Sequence, residues 1–185
     1  MKHQFIKEEM TYTGEQLRSN YAYRHFGIMG DSIIGFCGGC DVRPEDMVDI
    51  EDIKSGSNIY SESMLHFIIE HFDTDIEKAI LRQLLLATII HELINSLKKS
   101  LLTRRIGSDL YDNDAKLSIS VATVTPISSL IHFGINISST NTPVKTKGLK
   151  DYDIDPREFA LDVMERYVRE QDEIHRARCK VRWVL

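Results

Sequence analysis

The sequence predicts an α+β fold in which a mixed, largely antiparallel sheet packs against at least two long helices. Two extended segments carry apolar residues at helical spacing, one over about 75–98 and one after position 155. Several shorter segments alternate apolar with polar residues, as strands do. No internal repeat or linker rich in proline, glycine or serine divides the 185 residues. We therefore expect a single domain over residues 1–185.

The first 72 residues predict four strands and one short helix. After a first strand, the segment YTGEQLRSNYAYRHFG predicts a short helix that ends at Gly27. DSIIGFCGG predicts a strand closed by glycines, and MVDIEDI a short strand or sheet edge. NIYSESMLHFIIEHF favours a strand over a helix, because Leu65, Phe67 and Ile69 alternate with their neighbours.

The two long helices have recognisable N-termini. Thr74 and Glu77 have the spacing of a capping box, which predicts a helix over about 75–98. Asp155 as N-cap and Pro156 at the first helical position begin the second helix. Its apolar stripe comprises Phe159, Val163, Tyr167 and Ile174.

Three more strands complete the predicted sheet. Two lie at Leu117–Val124 and at about Leu130–Ser138, within a region that has no charged side chain. The C-terminal segment CKVRWVL alternates apolar with polar residues and predicts a last strand.

The two strands of the uncharged region each have one face of small or polar residues. The opposite faces are bulky and would lie under the helices, so the small faces suit a surface that a ligand or another segment approaches closely. A covering loop or a second subunit is the alternative explanation. The residues of the two small faces are Ser118, Ser120, Ala122, His132, Gly134, Asn136 and Ser138.

Lys116 directly precedes the first of these strands. It follows a turn formed by Asp112, Asn113 and Asp114, and the next charged residue is Lys145. If the small faces form the floor of a pocket, Lys116 would lie at its rim. There its ammonium group could hold a phosphate or carboxylate as a compact point charge.

The order of these elements resembles a known enzyme fold. A long amphipathic helix, then RRIGSDLYDNDAKLSISVAT, then SSLIHFGINIS, is similar to the core of biotin and lipoate protein ligase catalytic domains. These domains share their fold with class II aminoacyl-tRNA synthetases. Lys116 matches the essential lysine of the ligases, and His132, Phe133 and Gly134 match a strand with a His-Gly pair. The resemblance implies that Lys116 binds a substrate carboxylate and an adenylate phosphate, with ATP as a co-substrate.

Over its whole length the sequence resembles an uncharacterised archaeal and bacterial family, the domain of unknown function numbered 366. The segments YTGEQLRSNYAYRHFGIMGDSI, MVDIEDI, MLHFIIEHFD and SSLIHFGINI carry this resemblance. It implies a ligase-like fold and supplies no reaction.

The ligases close an arginine- and glycine-rich loop over the acyl-adenylate, and MVDIEDIKSGSNIYS occupies the corresponding place with acidic residues. Arg18 or Arg24 could supply the positive charge of that loop. Asp49 and Glu51 would share one face of a strand, with Asp52 turned away. These carboxylates could hold Mg²⁺ and bridge it to ATP phosphates, or form an exposed acidic edge.

Two further groups are interpreted as structural. Cys37 and Cys40 in CGGC have the spacing of half a zinc site or a redox pair, but no second pair exists. We predict a tight glycine turn there. His66 and Glu70 would share one strand face, with His71 on the other, and core or surface histidines are expected in preference to metal ligands.

Composition limits the partners. A net charge of −5 and a pI near 5.8 argue against nucleic acid and anionic membranes. We expect no signal peptide and no membrane span, and three cysteines without an export signal indicate the cytoplasm.

Two functions therefore remain open. One is a ligase- or transferase-like enzyme that binds a small carboxylate, an acyl-adenylate or a nucleotide beside Lys116. The other is a non-catalytic module of the same fold, in which the small faces are buried by a partner. In that case KVRWVL would be the sheet edge of a homodimer.

Overall fold

The structure is a computed structural model that describes residues 1–56, 59–139 and 145–184. Its α-helices are α1 (Tyr21–Phe26), α2 (Ile50–Ser55), α3 (Ile76–Lys98) and α4 (Pro156–Lys180). Short 3-10 helices occupy Pro44–Asp46 and Leu149–Tyr152. The strands are β1 (Lys2–Phe5), β2 (Ser32–Val42), β3 (Ile59–His71), β4 (Arg104–Ile106), β5 (Asp109–Asp112), β6 (Ala115–Lys116), β7 (Ser118–Val124) and β8 (Ser129–Asn136).

Five strands form the main sheet in the order β1-β2-β3-β8-β7. All neighbours are antiparallel except β1 and β2, which are parallel. A small sheet of β4, β5 and β6 packs beside β7. The predicted α+β fold with a largely antiparallel sheet is confirmed.

Both faces of the sheet centre are buried. Helices α3 and α4 cover one face through a core that includes Ile33, Leu65, Phe67, Leu86, Ile90, Phe133, Phe159 and Tyr167. The N-terminal segment and α1 cover the other face of β2 and β3, with a core that includes Ile6, Tyr12, Ala22, Ile34, Phe36, Met64 and Ile68. Double burial explains why β2 and β3 contain continuous apolar runs.

The helix termini follow local capping chemistry. Asp155 caps α4 as predicted, since its carboxylate accepts a hydrogen bond from the Glu158 amide at 2.8 Å. The predicted capping box at Thr74 is wrong by one residue. Asp75 is the N-cap of α3 and accepts from the Lys78 amide at 3.1 Å.

The predicted strand in MVDIEDI is wrong, because this segment forms an irregular stretch followed by α2. Asp49 caps α2 by accepting a hydrogen bond from the Glu51 amide. Ile50 and Ile53 are largely exposed, so the alternation of apolar and acidic residues does not mark a buried strand face here.

The predicted C-terminal strand is also wrong. Helix α4 continues to Lys180 without a breaker, and residues 181–184 belong to no strand. Val181 and Trp183 are exposed, and Leu185 lies outside the described residues. The edges of the main sheet are β1 and β7, so KVRWVL does not supply the pairing edge that was predicted for a homodimer.

The expectation that no segment has the length and composition of a membrane span is not met by helix α3. By length and composition alone this helix is long and apolar enough to cross a membrane. In the structure its apolar residues, including Leu86, Ala87, Ile90 and Ile94, belong to the main core between the helices and the sheet. A core helix of a soluble protein passes the same test.

His71 at the end of β3 connects two distant elements. Its Nδ1 lies 2.9 Å from Asp31 Oδ2, and its Nε2 lies 3.1 Å from the Tyr167 hydroxyl of α4. Burial lowers the pKa of His71. The neutral ring therefore donates from Nδ1 to Asp31 and accepts the Tyr167 proton at Nε2. The hydrogen bond from His71 in turn lowers the pKa of Asp31 to about 2.

We expect Asp31→Asn to reduce the acid sensitivity of the fold. An unfolded aspartate titrates at about 3.9, so the ionised Asp31 contributes stability above about pH 4 that is lost as the pH falls through about 2. Urea unfolding at pH 7 and at several acidic pH values should show a smaller loss of stability in the variant. Asp172→Asn on the exposed end of α4 is the control, and an acid dependence that is equal in both variants would contradict this account.

Candidate functional site

A cavity of about 380 Å³ lies where β7, β8, the small sheet and the segment before α2 meet. Its volume is in the range of small-molecule sites. The walls combine apolar, hydroxyl-bearing and charged residues: Tyr12, Cys40, Val42, Asp46, Met47, Val48, Asp49, Asp52, Ile59, Tyr60, Ser61, Met64, Ser108, Asp109, Lys116, Ser118, Ile119, Ser120, Val121, His132, Asn136 and Thr146.

Lys116 lies on the cavity wall. Its Nζ is 2.7 Å from Oδ2 of Asp109, and both side chains are partly buried. Burial raises the pKa of Asp109 above its ordinary value, although Lys116 opposes this by a hydrogen bond and its charge. The Lys116 backbone is also held, because its amide donates to the Lys145 carbonyl and its carbonyl accepts from the Lys147 amide.

The cavity has more negative than positive side chains. Asp46, Asp49, Asp52 and Asp109 line it, whereas Lys116 is the single lysine or arginine on the part of the wall that the structure describes. Arg43 pairs with Asp46 at 2.8 Å from outside the lining and offsets one of these charges. The cavity is therefore net acidic.

The predicted magnesium site at Asp49, Glu51 and Asp52 does not fit the structure. The Asp49 carboxylate is engaged in capping α2, and Glu51 does not line the cavity. The shared face predicted for Asp49 and Glu51 required a strand, and the segment is helical. Across residues 1–56, 59–139 and 145–184, no three His, Cys, Asp or Glu side chains are grouped so that they could hold a metal ion.

The prediction that both small strand faces form one surface is wrong. In the register of β7 and β8, Ser118 is opposite Ile135, and Ser120 is opposite Phe133. Directly opposed residues project to the same face. The serine face of β7 therefore lies on the same side of the sheet as the apolar face of β8. Val121 is the residue opposite His132.

Both serines still border the cavity, because β7 is an edge strand beside the small sheet. Ser118 Oγ accepts a hydrogen bond from the Leu110 amide at 2.9 Å. Ser120 Oγ accepts from Gln83 Nε2 of α3 at 2.7 Å. These hydroxyl groups connect β7 to its neighbours, so their first role in the structure is to hold the cavity wall.

The opposite face of β8 provides the cavity floor. His132 and Asn136 line the cavity, and Gly134 lies between them on the same face. A Cβ atom at Gly134 would lie 2.9 Å from Cε of Met64, so glycine permits close packing here. The Asn136 Oδ1 accepts from the Ser61 hydroxyl at 3.4 Å, which links β8 to β3.

His132 belongs to a buried cluster that the sequence did not reveal. Its Nε2 lies 3.1 Å from Nδ1 of His66, and His66 Nε2 lies 3.1 Å from the Gly39 carbonyl oxygen. Tyr12 stacks on His132 with 3.6 Å between the ring centroids. Burial lowers the pKa of His66 to about 4 and that of His132 well below its ordinary value. Both rings are therefore neutral near pH 7.

The two histidines of β3 lie on opposite faces of that strand, as its alternation predicts. His66 and Glu70 lie on one face of β3, and His71 lies on the opposite face with Tyr167. The backbone N–H of Asn20 donates a bifurcated hydrogen bond to both carboxylate oxygens of Glu70, at 2.8 and 3.0 Å, and Glu70 so fixes the start of α1.

The remaining predicted residues lie elsewhere. Arg18 pairs with Glu15 on the surface, and Arg24 reaches the Ser19 carbonyl. Neither arginine lines the cavity, so neither supplies the positive charge of the ligase loop.

The CGGC segment lies inside β2 and not in a turn, with a register shift between Gly38 and Cys40. Burial raises the pKa of the Cys37 thiol to about 11 and that of Cys40 to about 12. Both thiols are therefore protonated near pH 7, which opposes a redox or metal-binding role.

Comparison with known proteins places the chain in a sequence family. The model of the family described as Domain of unknown function (DUF366) matches residues 1–182. An uncharacterized protein of Methanocaldococcus jannaschii is 37% identical over 183 residues, which cover 93% of this chain and 80% of the relative. A solved protein of unknown function from Pyrococcus horikoshi is 38% identical, with a TM-score of 0.91 over 99% of this chain and 100% of its own.

Biotin and lipoate protein ligases share the fold. The biotin protein ligase of Aquifex aeolicus matches with a TM-score of 0.62 and 14% identity, over 94% of this chain and 70% of the ligase. At this identity the similarity is one of fold alone.

Proposed function

Since the chain belongs to the DUF366 family, a domain of unknown function with a ligase-like fold, we propose that it binds a small carboxylic acid in the cavity beside Lys116. The observation that carries this proposal is the position of Lys116 Nζ, which lies on the wall 2.7 Å from Asp109. An ammonium group has three N–H donors, and Asp109 takes one. The resemblance of Lys116 to the essential ligase lysine supports the same role.

Because the cavity is net acidic, an anion with one negative charge and an apolar body is disfavoured less than a polyanion. A triphosphate would meet several carboxylates, and each like-charge pair about 4 Å apart costs on the order of 1 kcal/mol in bulk water and about 4 kcal/mol near a protein surface. Lys116 alone does not offset that repulsion. A monocarboxylate brings one charge to Lys116 and can place its body against Met47, Met64 and Ile119.

The part of the wall that the structure describes has no donor set that fits ATP, which the ligase resemblance implies, or the Mg²⁺ that the acidic residues were predicted to hold. Of the predicted acidic residues, Asp49 and Asp52 line the cavity and Glu51 does not, and no three possible metal ligands are grouped among the described residues, so we assign no adenylation step. The proposal is one of ligand binding, and the non-catalytic module remains its nearest alternative. We further propose a cytoplasmic location, which the free thiols of Cys37, Cys40 and Cys179 support.

The test is calorimetry with hexanoic, octanoic and decanoic acids, biotin and lipoate. We expect at least one acid to bind, and Lys116→Ala to weaken it about tenfold or more, because a charge-assisted hydrogen bond is lost. Lys145→Ala is the matched control, since Lys145 pairs with Asp114 on the surface outside the cavity. Asp109→Asn removes the competing carboxylate and should preserve or raise the affinity. No binding by any acid, or equal affinity in Lys116→Ala, would overturn the proposal.

A further inference from the structure

The Gly39 carbonyl determines where the protons of the histidine pair lie. A carbonyl oxygen can only accept, so His66 Nε2, at 3.1 Å from it, carries a proton. In a neutral imidazole the other nitrogen then has none. His66 Nδ1 is therefore an acceptor, and it must receive its hydrogen bond from the nitrogen that faces it.

That nitrogen is Nε2 of His132, at 3.1 Å. Because His132 Nε2 is the donor, Nδ1 of the same neutral ring carries a lone pair and no proton. No other described residue makes a hydrogen bond to this Nδ1, and the His132 ring borders the cavity. The stacked Tyr12 ring holds the imidazole plane in place.

We propose that Gly39 fixes the tautomers of His66 and His132 in series, so that Nδ1 of His132 accepts a hydrogen bond from an N–H or O–H group of the cavity's ligand. This inference rests on the proposed carboxylate binding at Lys116 and adds a second recognition point. His132 is a specificity-determining residue in this account, because a ligand without a donor would leave its lone pair desolvated and unpaired.

The distance between the two recognition points defines the ligand further. Val121 is opposite His132 in the sheet, and Lys116 precedes Val121 by five residues. β6 ends at Lys116 and β7 begins at Ser118, so this stretch is not one continuous strand. Five residues of extended chain span at most about 16 Å, which is an upper limit on the distance between the backbones of Lys116 and Val121. Because Lys116 and His132 line the same cavity, the ligand class is a carboxylic acid that fits within this limit, with an apolar middle and a neutral donor, such as a hydroxyl or amide, at the end away from the carboxylate.

The tautomers can be read without any ligand. Two-dimensional ¹⁵N–¹H spectra of the imidazole rings in the full chain should show His66 and His132 as neutral Nε2–H forms near pH 7. His71 is the internal control, because its contacts with Asp31 and Tyr167 require the opposite, Nδ1–H tautomer. A proton on Nδ1 of His132 would overturn the inference.

The ligand class is tested with hexanoic, octanoic and decanoic acids against their ω-hydroxy and ω-amide analogues. We expect a donor-bearing analogue to bind about ten- to a hundredfold more tightly than the parent acid. His132→Phe keeps a ring beneath Tyr12 and should abolish that advantage. If parent acids and analogues bind equally and Lys116→Ala weakens both, the inference about His132 is overturned while the proposed carboxylate binding at Lys116 stands. Absence of all acid binding overturns the proposed function, and the assignment of the ligand with it.

Discussion

Gly38→Ala is expected to destabilise the fold by about 3 kcal/mol or more. A Cβ atom at position 38 would lie 2.0 Å from the Met10 carbonyl oxygen and 2.6 Å from its carbonyl carbon. These are backbone atoms, so the clash is relieved only by moving a chain segment. That segment is held against β2, because the Met10 amide donates to Cys37 and the Tyr12 amide donates to Gly39.

Gly39→Ala is the matched control for this effect. The nearest atom to a Cβ at position 39 is the Ser61 carbonyl oxygen at 3.5 Å, which is an ordinary contact. Urea unfolding should therefore show a large loss of stability for Gly38→Ala and a small change for Gly39→Ala. Since the displaced segment carries Tyr12, the first variant should also disturb the His132 resonances. Similar losses in both variants would refute the close-approach argument.

The same glycine pair shows what sequence patterns can and cannot predict. CGGC suggests a turn because glycine is common in turns, yet here glycine is required by a backbone that approaches from more than 25 residues away along the chain. Periodicity predicted α3, α4, β3, β7 and β8 correctly, because burial against one core fixes a period of 3.6 or 2. It failed at MVDIEDI, where exposed isoleucines imitate a strand.

Part of the candidate site was also predictable. Lys116, His132 and Asn136 all line the cavity, and a turn and the alternation of two strands are enough to single them out in the sequence. The error at Ser118 and Ser120 arose because alternation defines the two faces of one strand but not which faces of two strands coincide. Which faces coincide is decided by the pairing register of β7 with β8, and the apolar pattern of each strand taken separately does not specify this register.

The residues that complete the site come from distant parts of the chain. Tyr12 and His66 meet His132 only through the sheet order and the packing of the N-terminal segment. The pairing of Asp109 with Lys116 was easier to predict from the sequence than the contacts of Tyr12 and His66. In the hairpin of β5 and β6, Tyr111 is opposite Lys116, so Asp109, two residues earlier, lies diagonally on the same face. A hairpin prediction for SDLYDNDAK would have paired the two charges.

Asp112 holds the segment that lies beside Lys116. Its Oδ2 accepts from Lys147 Nζ at 2.6 Å and from the Tyr152 hydroxyl at 2.7 Å, and its Oδ1 accepts from Asn113 Nδ2 at 2.8 Å. The carboxylate and the Tyr152 side chain are both buried. Burial alone would raise the pKa of Asp112, but the bonds from Lys147 and Tyr152 lower it below its ordinary value. The ionised form is therefore the stabilising one.

We expect Asp112→Ala to cost on the order of 3 kcal/mol, because it leaves the buried Tyr152 hydroxyl without its acceptor and Lys147 without its counter-ion. The loss should shrink in acid, since wild-type Asp112 stabilises the fold above the pKa of an unfolded aspartate and ceases to do so as the pH falls through its lower folded value. Asp114→Ala is the control in the same turn. Asp114 pairs with Lys145 on the surface, so its removal should leave stability nearly unchanged.

The Asp112 network also connects stability to the candidate site. The Lys147 amide donates to the Lys116 carbonyl, so release of Lys147 from Asp112 loosens the backbone that positions Lys116. Asp112→Ala should therefore weaken carboxylic-acid binding at temperatures where the variant is still folded, whereas Asp114→Ala should not. Unfolding in urea and calorimetry on the same samples separate the two effects. If Asp112→Ala is as stable as Asp114→Ala, the buried network does not anchor this segment. If Asp112→Ala is destabilised yet binds the acid with full affinity, then the hairpin of β5 and β6 and the ion pair with Asp109 are sufficient to position Lys116.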